Sequence, residues 1–317
     1  MRKMAFLSLA LLALPGFTGP ASAAYPEKPI KLIVPFGAGG SSDMSARLIT
    51  KEAEKLLGQS IAIVNIAGGG GGIGTLEASK AAPDGYTLLW QHKSLITAFH
   101  TGASEINWDN LTPISNLMLF NEVVHVHKDN KDIGTLEKLI AKGRANPETL
   151  RLPVQIGAGA HFSALELEKA TGVKFHIIAS GGDTDRLNEQ LGKRADVVFQ
   201  SITPTLPHIK AGTLIPLGVG AEQRDPGLPD VPTLTEQGYD VVTPFNIGLY
   251  GPAGLPADVV EKWDQISKKL MENPETQKEM AKVSLFPSYM STKDFRVHLK
   301  KLSDNLHDLA RAGGLLK

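Results

Sequence analysis

The sequence predicts an α/β protein of two domains, each a mostly parallel sheet flanked by helices. Three observations carry this. Short apolar stretches alternate with segments of helical spacing. Gly-rich loops separate them at 37–40, 68–72, 157–159 and 181–182. The chain beyond a leader, about 290 residues, exceeds the usual size of one domain.

The first residues read as a secretory signal peptide, residues 1–23. Arg2 and Lys3 give a positive start, Ala5 to Leu14 is apolar, and Ala21-Ser22-Ala23 has the small-x-small form of a cleavage site. The apolar run falls short of the ~20 residues that cross a bilayer, so an exported protein without membrane insertion is expected. There is no cysteine, so no disulfide can support the fold. Lys plus Arg and Asp plus Glu both number 33, and aromatics make up 6%. With no long basic run, nucleic acid is a poor partner.

Ile30 to Val34 is a strand, and Pro35 to Gly40 a loop. Ser42 to Leu57 has Met44, Leu48, Ala53, Leu56 and Leu57 roughly on one side, and Gly58 stops it. Ile61 to Ile66 is a strand, Ile73 to Ala81 a helix, and Tyr86 to Trp90 the next strand. Asn121 to Val126 leads across to the second domain. There, Thr135 caps a helix to Ala145. Arg151 to Ile156 precedes a helix from Ala160 to Thr171, and Val173 to Ile178 precedes one from Asp183 to Leu191. Ala195 to Phe199 and Leu214 to Val219 are further strands. The tail is helical over 257–272, 274–282 and 292–311, with Ser291 and Asp294 resembling a capping box. Residues 24–123 plus 223–317 form domain 1 and 124–222 domain 2, with hinge crossings near 120–126 and 220–226.

Loops of this kind gather at the carboxyl ends of strands, where ligands bind. Gly69, Gly71 and Gly74 satisfy G-x-G-x-x-G between a strand and a helix. The acid that would hold a ribose is missing, since the next strand ends in Trp90, Gln91 and His92. No P-loop occurs and no cofactor is expected. A smaller anion suits the same physics, because glycine lets backbone N–H groups approach it and a helix start adds partial positive charge. The alternative is that the glycines only make tight turns. Asp43 would repel a carboxylate, so it is expected to turn back to the backbone or to Arg47.

No catalytic set stands out. Residues 39–43 lack the final Gly of a nucleophile elbow, and H-E-x-x-H is absent. His125 and His127 share a strand face without a third ligand nearby, so no metal is expected. Trp90 suits either the pocket or the core. His92 suits a ligand contact; His161 suits either a pocket or helix-start packing.

Taken in order, YPEKPIKLIVPFGAGGSSDMSARL, NIAGGGGGIGTLEASKAAPDGYTLL, LPHIKAGTLIPLGV and RDPGLPDVPTLTEQGY resemble the extracytoplasmic receptors of tripartite tricarboxylate transporters, the Bug receptors. The resemblance runs through nearly the whole chain beyond the leader. It implies a Venus-flytrap, type II-like periplasmic binding protein, a monomer, that delivers a small carboxylate to the transporter's membrane permease. It implies ligand contacts from Phe36, Gly39, Gly40, Ser41 and Ser42, and from Ala67, Gly69, Gly70 and Gly71. The second domain would add Ala158, Gly159, Ala160 and His161, then Ser180 and Gly181; Asp183, at the start of the next helix, is a further candidate contact. Gln91 and His92 stand where the family has smaller residues, and Ala179-Ser180 replace its Tyr-Lys. These departures point to space near Ala179 and to an acid larger than a short dicarboxylate, an aromatic acid being one candidate. An exported hydrolase acting on a small acid and a ligand-sensing subunit are the alternatives.

Overall fold

The structure is a computed structural model and describes residues 25–317; the expected signal peptide lies outside the described residues. The chain begins with three strands and the helices that return between them. These are β1 (Ile30–Val34), α1 (Ser41–Leu57), β2 (Ile61–Asn65), α2 (Gly72–Ser79), β3 (Thr87–Gln91) and α3 (Ser94–His100). β1 pairs in parallel with both β2 and β3, as right-handed crossovers demand. Gly58 ends α1 with φ 69, and its N–H donates to Glu54 O.

β4 (Leu111–Phe120) closes the first part, and β5 (Glu122–His127) opens the second after one residue, Asn121. α4 (Leu136–Ala145), β6 (Arg151–Val154), α5 (Gly159–Thr171), β7 (His176–Ala179), α6 (Asp183–Leu191), β8 (Val198–Ser201), α7 (Ile202–Lys210) and β9 (Leu214–Val219) follow. Thr135 caps α4 as expected, its hydroxyl accepting from Lys138 N at 3.2 Å. The tail adds β10 (Phe245–Pro252), α8 (Ala257–Glu272), α9 (Pro274–Ala281), β11 (Leu285–Met290) and α10 (Thr292–Ala312). Ser291 accepts from Asp294 N at 3.3 Å and starts α10.

The first lobe's sheet has the order β11-β4-β10-β3-β1-β2; the second lobe has β8-β5-β9 and β6-β7. The parallel pairing expected of the β-loop-α units is seen in β1 with β2 and β3, and in β6 with β7. β10 pairs antiparallel with β3 and β4, β11 with β4, and β5 with β8 and β9, so the sheets are mixed.

β4 and β10 were not announced by periodicity. β4 buries Ser115 and Asn116 among its apolar residues. β10 contains Gly248, where a Cβ would stand 2.2 Å from the Phe295 ring; the glycine makes room for α10. The return crossing also lies later than the expected 220–226. Leu228 and Val231 pack with Val123 and Val219 of the second lobe, and Leu234 and Val241 join Val124 and Phe199. The chain re-enters the first sheet only at Phe245. Phe162 of α5 is fully buried with Leu95 and Ile96 of α3 and Leu299 of α10, so an apolar contact joins the lobes.

Candidate ligand-binding cleft

The first loop delivers the chain from β1 into α1 with Gly40 as an uncapped N-cap. The Ser42 amide in the first turn of α1 is left for an outside acceptor. Asp43 does turn back. Its carboxylate accepts from Gly39 N at 3.0 Å, from Arg47 Nε at 2.9 Å and Nη2 at 3.0 Å, and from Asn65 Nδ2 at 3.1 Å. Burial acts to raise the Asp43 carboxyl, but the bonds from Arg47, Gly39 and Asn65 prevail and hold it below the usual range. Asp43 therefore braces the loop and ties it to β2.

The glycine run coils in the left-handed region at four consecutive residues, with φ of 125, 55, 65 and 96 at Gly68, Gly69, Gly70 and Gly71. Glycine alone adopts this freely. Its members divide by role. A Cβ on Gly74 would stand 2.6 Å from Ile66 O and 2.8 Å from Pro35, so Gly74 serves helix–strand packing. Gly71 is pressed between Gln91 Nε2 and the Phe36 ring. Gly68, Gly69 and Gly70 face the cleft.

Two connected spaces lie between the lobes. An inner cavity of about 40 Å³ is lined by Phe36, Gly40, Ser41 and Ser42, by His92, by Ala158 and Ala160, and by Asp183. An outer opening of about 460 Å³ is lined by Phe36, Ala67, Gly69, Gly70, Ser180 and Gly181. Ala179 also borders it, so the space expected there exists. The N-termini of α1, α5 and α6 all reach the inner cavity, and three positive dipole ends favour an anion there. Among the described residues, the amides of Ser42, Gly69 and Gly70 donate to no protein acceptor.

Five expected contacts do not line either space. Gly39 spends its amide on Asp43, and Gly71 is a packing glycine. Gln91 is fully buried; it donates to Thr75 Oγ1 at 3.2 Å and accepts from His92 N at 2.8 Å. It ends a strand whose last side chain points into the lobe. Gly159 donates to Ser94 Oγ at 2.8 Å, and a Cβ there would stand 2.7 Å from Phe245. His161 faces a separate groove with Thr101 and Leu315. Trp90 is a core residue, 1% exposed.

Aromatic rings form one wall of the inner cavity. His92 stacks on Phe36 with centroids 4.6 Å apart and meets Phe245 edge-on at 4.9 Å; Phe120 stacks on Phe245 at 4.9 Å. Ser94 N–H donates to His92 Nδ1 at 3.2 Å, which leaves the ring hydrogen on Nε2.

The opposite wall is charged. Asp183 reaches across from α6, and its Oδ2 accepts from Ser41 N at 3.1 Å and from the Ser41 hydroxyl. Its Oδ1 accepts from Arg186 Nη2. Arg186 is 4% exposed, and its Nε and Nη1 have no partner among the described residues.

The sequence model of the tripartite tricarboxylate transporter family receptor matches residues 45–315. The chain belongs to this receptor family. A curated relative from Cupriavidus necator, a UPF0065 protein, is 32% identical over 86% of this chain and 83% of its own. The solved structure of the periplasmic binding protein BugD is 27% identical, with TM-score 0.86 over 92% of this chain and 100% of that one. An R. palustris protein solved with adipate shares the fold at 24% identity, with TM-score 0.85 over 92% of this chain and 99% of its own. The family is one of receptors rather than of enzymes, and among the described residues no helix is long and apolar enough to cross a membrane.

Sequence reasoning missed Arg186, Glu122, Phe120 and Phe245 of this receptor's cleft. Arg186 carried a signal: it lies one helical turn beyond Asp183 on the same face. Glu122 was a lone acid opening an apolar strand. The two phenylalanines gave none, because they meet only through the sheet.

The buried titratable groups set a pH dependence. Burial pushes His92 and His125 down to about 3. Both stay neutral in the folded receptor but bind protons near pH 6.5 once unfolded. Their contribution is complete above about 6.5 and declines toward pH 3. Glu122 runs the other way. Burial, opposed by Lys93, pushes it up to about 7, so its contribution is present below about 4.5 and lost as pH rises through 7. Burial also lowers His100, His161 and His298, which acts with His92 and His125, and raises Glu166 and Asp225, which acts with Glu122. Between 4.5 and 6.5 two histidines outweigh one glutamate. Stability should fall by about 2 kcal/mol from pH 6.5 to 5. Thermal melts of wild type and His125→Leu check this, the variant showing the shallower decline.

Proposed function

We propose that this receptor is exported to the periplasm, captures a small carboxylate in the cleft between its lobes, and presents it to the membrane permease of a tripartite transporter. It acts as a monomer and turns nothing over. The observation that carries this is the convergence of three helix N-termini on one cavity beside a left-handed glycine coil. Amides of Ser42, Gly69 and Gly70 would receive the carboxylate by charge-assisted hydrogen bonds. The neutral His92 would add Nε2–H without adding charge. The adipate held by the R. palustris protein of the same fold supports the ligand class.

Residues 25–120 with 245–317 would move as one lobe and 122–243 as the other, hinged at Asn121 and at 243–245. The closed form, in which Asp183 meets Ser41 across the cleft, would be the one the permease recognises, and ligand would shift the population toward it.

A thermal-shift screen of carboxylic acids, followed by calorimetry, tests the reading. An acid at 100 times its Kd adds about 2.7 kcal/mol, and should raise Tm by about 5–10 °C. Failure of every acid to bind, or catalytic release of a product from one, would remove the proposal.

A further inference from the structure

We infer that Asp183 is a built-in carboxylate that fills one anion position of the cleft, so that the receptor selects a singly charged acid with a flat body over di- and tricarboxylates. The inference rests on the carboxylate-receptor reading and specifies its cargo.

Asp183 is held as a bound ligand would be. One oxygen takes both the backbone N–H and the hydroxyl of Ser41 at the start of α1, and the other takes Arg186. The side chains of Arg186 and Asp183 are 5% and 11% exposed. The anion-attracting end of α1 is thus occupied at Ser41 by the protein itself.

The charges lining the inner cavity point the same way. Arg186 is its sole cationic side chain among the described residues, set against Asp183, Asp185 and Glu122. Lys93 does not reach the cavity; its ammonium lies 3.9 Å over the Phe245 ring and 3.2 Å from Ser163 Oγ. A cargo with two or three carboxylates would meet the carboxylates of Asp183 and Asp185 and one guanidinium already paired. Like charges so placed repel.

A single carboxylate retains a seat at the glycine coil and Ser42. Its body would pass Phe36, the one aromatic ring that lines both spaces, which offers a flat surface to a flat group. The outer opening beside Ala179 and Ser180 supplies the room that the inner cavity lacks. The unpartnered Nε and Nη1 of Arg186 remain available to a neutral acceptor on that body.

Calorimetry with benzoate, terephthalate, adipate and citrate on wild type and Asp183→Asn is the test. Asparagine keeps the shape and removes the charge. Benzoate should bind wild type at least tenfold more tightly than terephthalate, adipate or citrate. Asp183→Asn should narrow the benzoate-to-terephthalate ratio at least tenfold. Wild type that prefers adipate, citrate or terephthalate overturns the inference while leaving the carboxylate reading in place. A ratio unchanged in a folded Asp183→Asn also overturns it. Binding of no acid at all removes both. The wild-type ratio decides even where the variant fails to fold.

Discussion

Gly40→Leu should weaken carboxylate binding by at least about 100-fold, equivalent to about 2.7 kcal/mol, while leaving Tm within about 2 °C of wild type. The two readouts separate because of where the glycine stands. Its φ of −79 and ψ of 172 are extended backbone that any residue adopts, so leucine strains nothing locally. A Cβ there would lie 3.4 Å from Asp183 Cβ, across the cleft. The remaining leucine atoms would force α6 away from α1 and break the Ser41–Asp183 contact that holds the lobes together. The substitution therefore opposes a rigid-body motion without opposing the fold of either lobe. Calorimetry gives the affinity and a melt gives the stability. A collapse of Tm would show instead that Gly40 is needed for the turn.

Trp90→Ala should cost about 3–5 kcal/mol and lower Tm by about 10 °C. Trp90 is 1% exposed within the first lobe's core, beside Leu32, Ile49 and Trp263. Its indole Nε1 donates to Ser45 Oγ at 3.0 Å, and that hydroxyl donates to Ser42 O at 3.0 Å. Alanine leaves a cavity and unties the first turn of α1 from the sheet beneath it. Trp90→Phe should cost less, since it fills most of the volume and loses only the bond. Urea melts of the two variants check the order; equal costs would mean that the hydrogen bond, not the cavity, dominates.

The fold was legible where one local rule settled each element. Thr135, Gly58 and Ser291 marked helix ends, and Asp43 with Arg47 was readable from spacing alone. The glycine coil announced a backbone that no side chain would tolerate. The cleft was legible where it is made of loops, which carry their own chemistry. It was not legible where it is made of strands meeting from distant parts of the chain. Glu122 and Phe120 lie on either side of the Asn121 crossing, and Phe245 comes from the return. Only the register of β4 with β10, in which Phe120 faces Phe245, brings their rings together. Gln91 failed for a related reason. Its place at a strand end was right, but the pleat decided which way it points, and Thr75 received it.

The strand order β11-β4-β10 has a consequence for biosynthesis. β4 is made early, yet both of its neighbours in the sheet are made after the whole second lobe. As the polypeptide is made, the second lobe holds all its own strands before β4 has any. The later lobe in sequence is therefore the first able to finish, and the earlier one waits with an unpaired edge on each side of a central strand. Such late, long-range pairing is slow, and it is the interval in which this chain is most exposed to association with its copies.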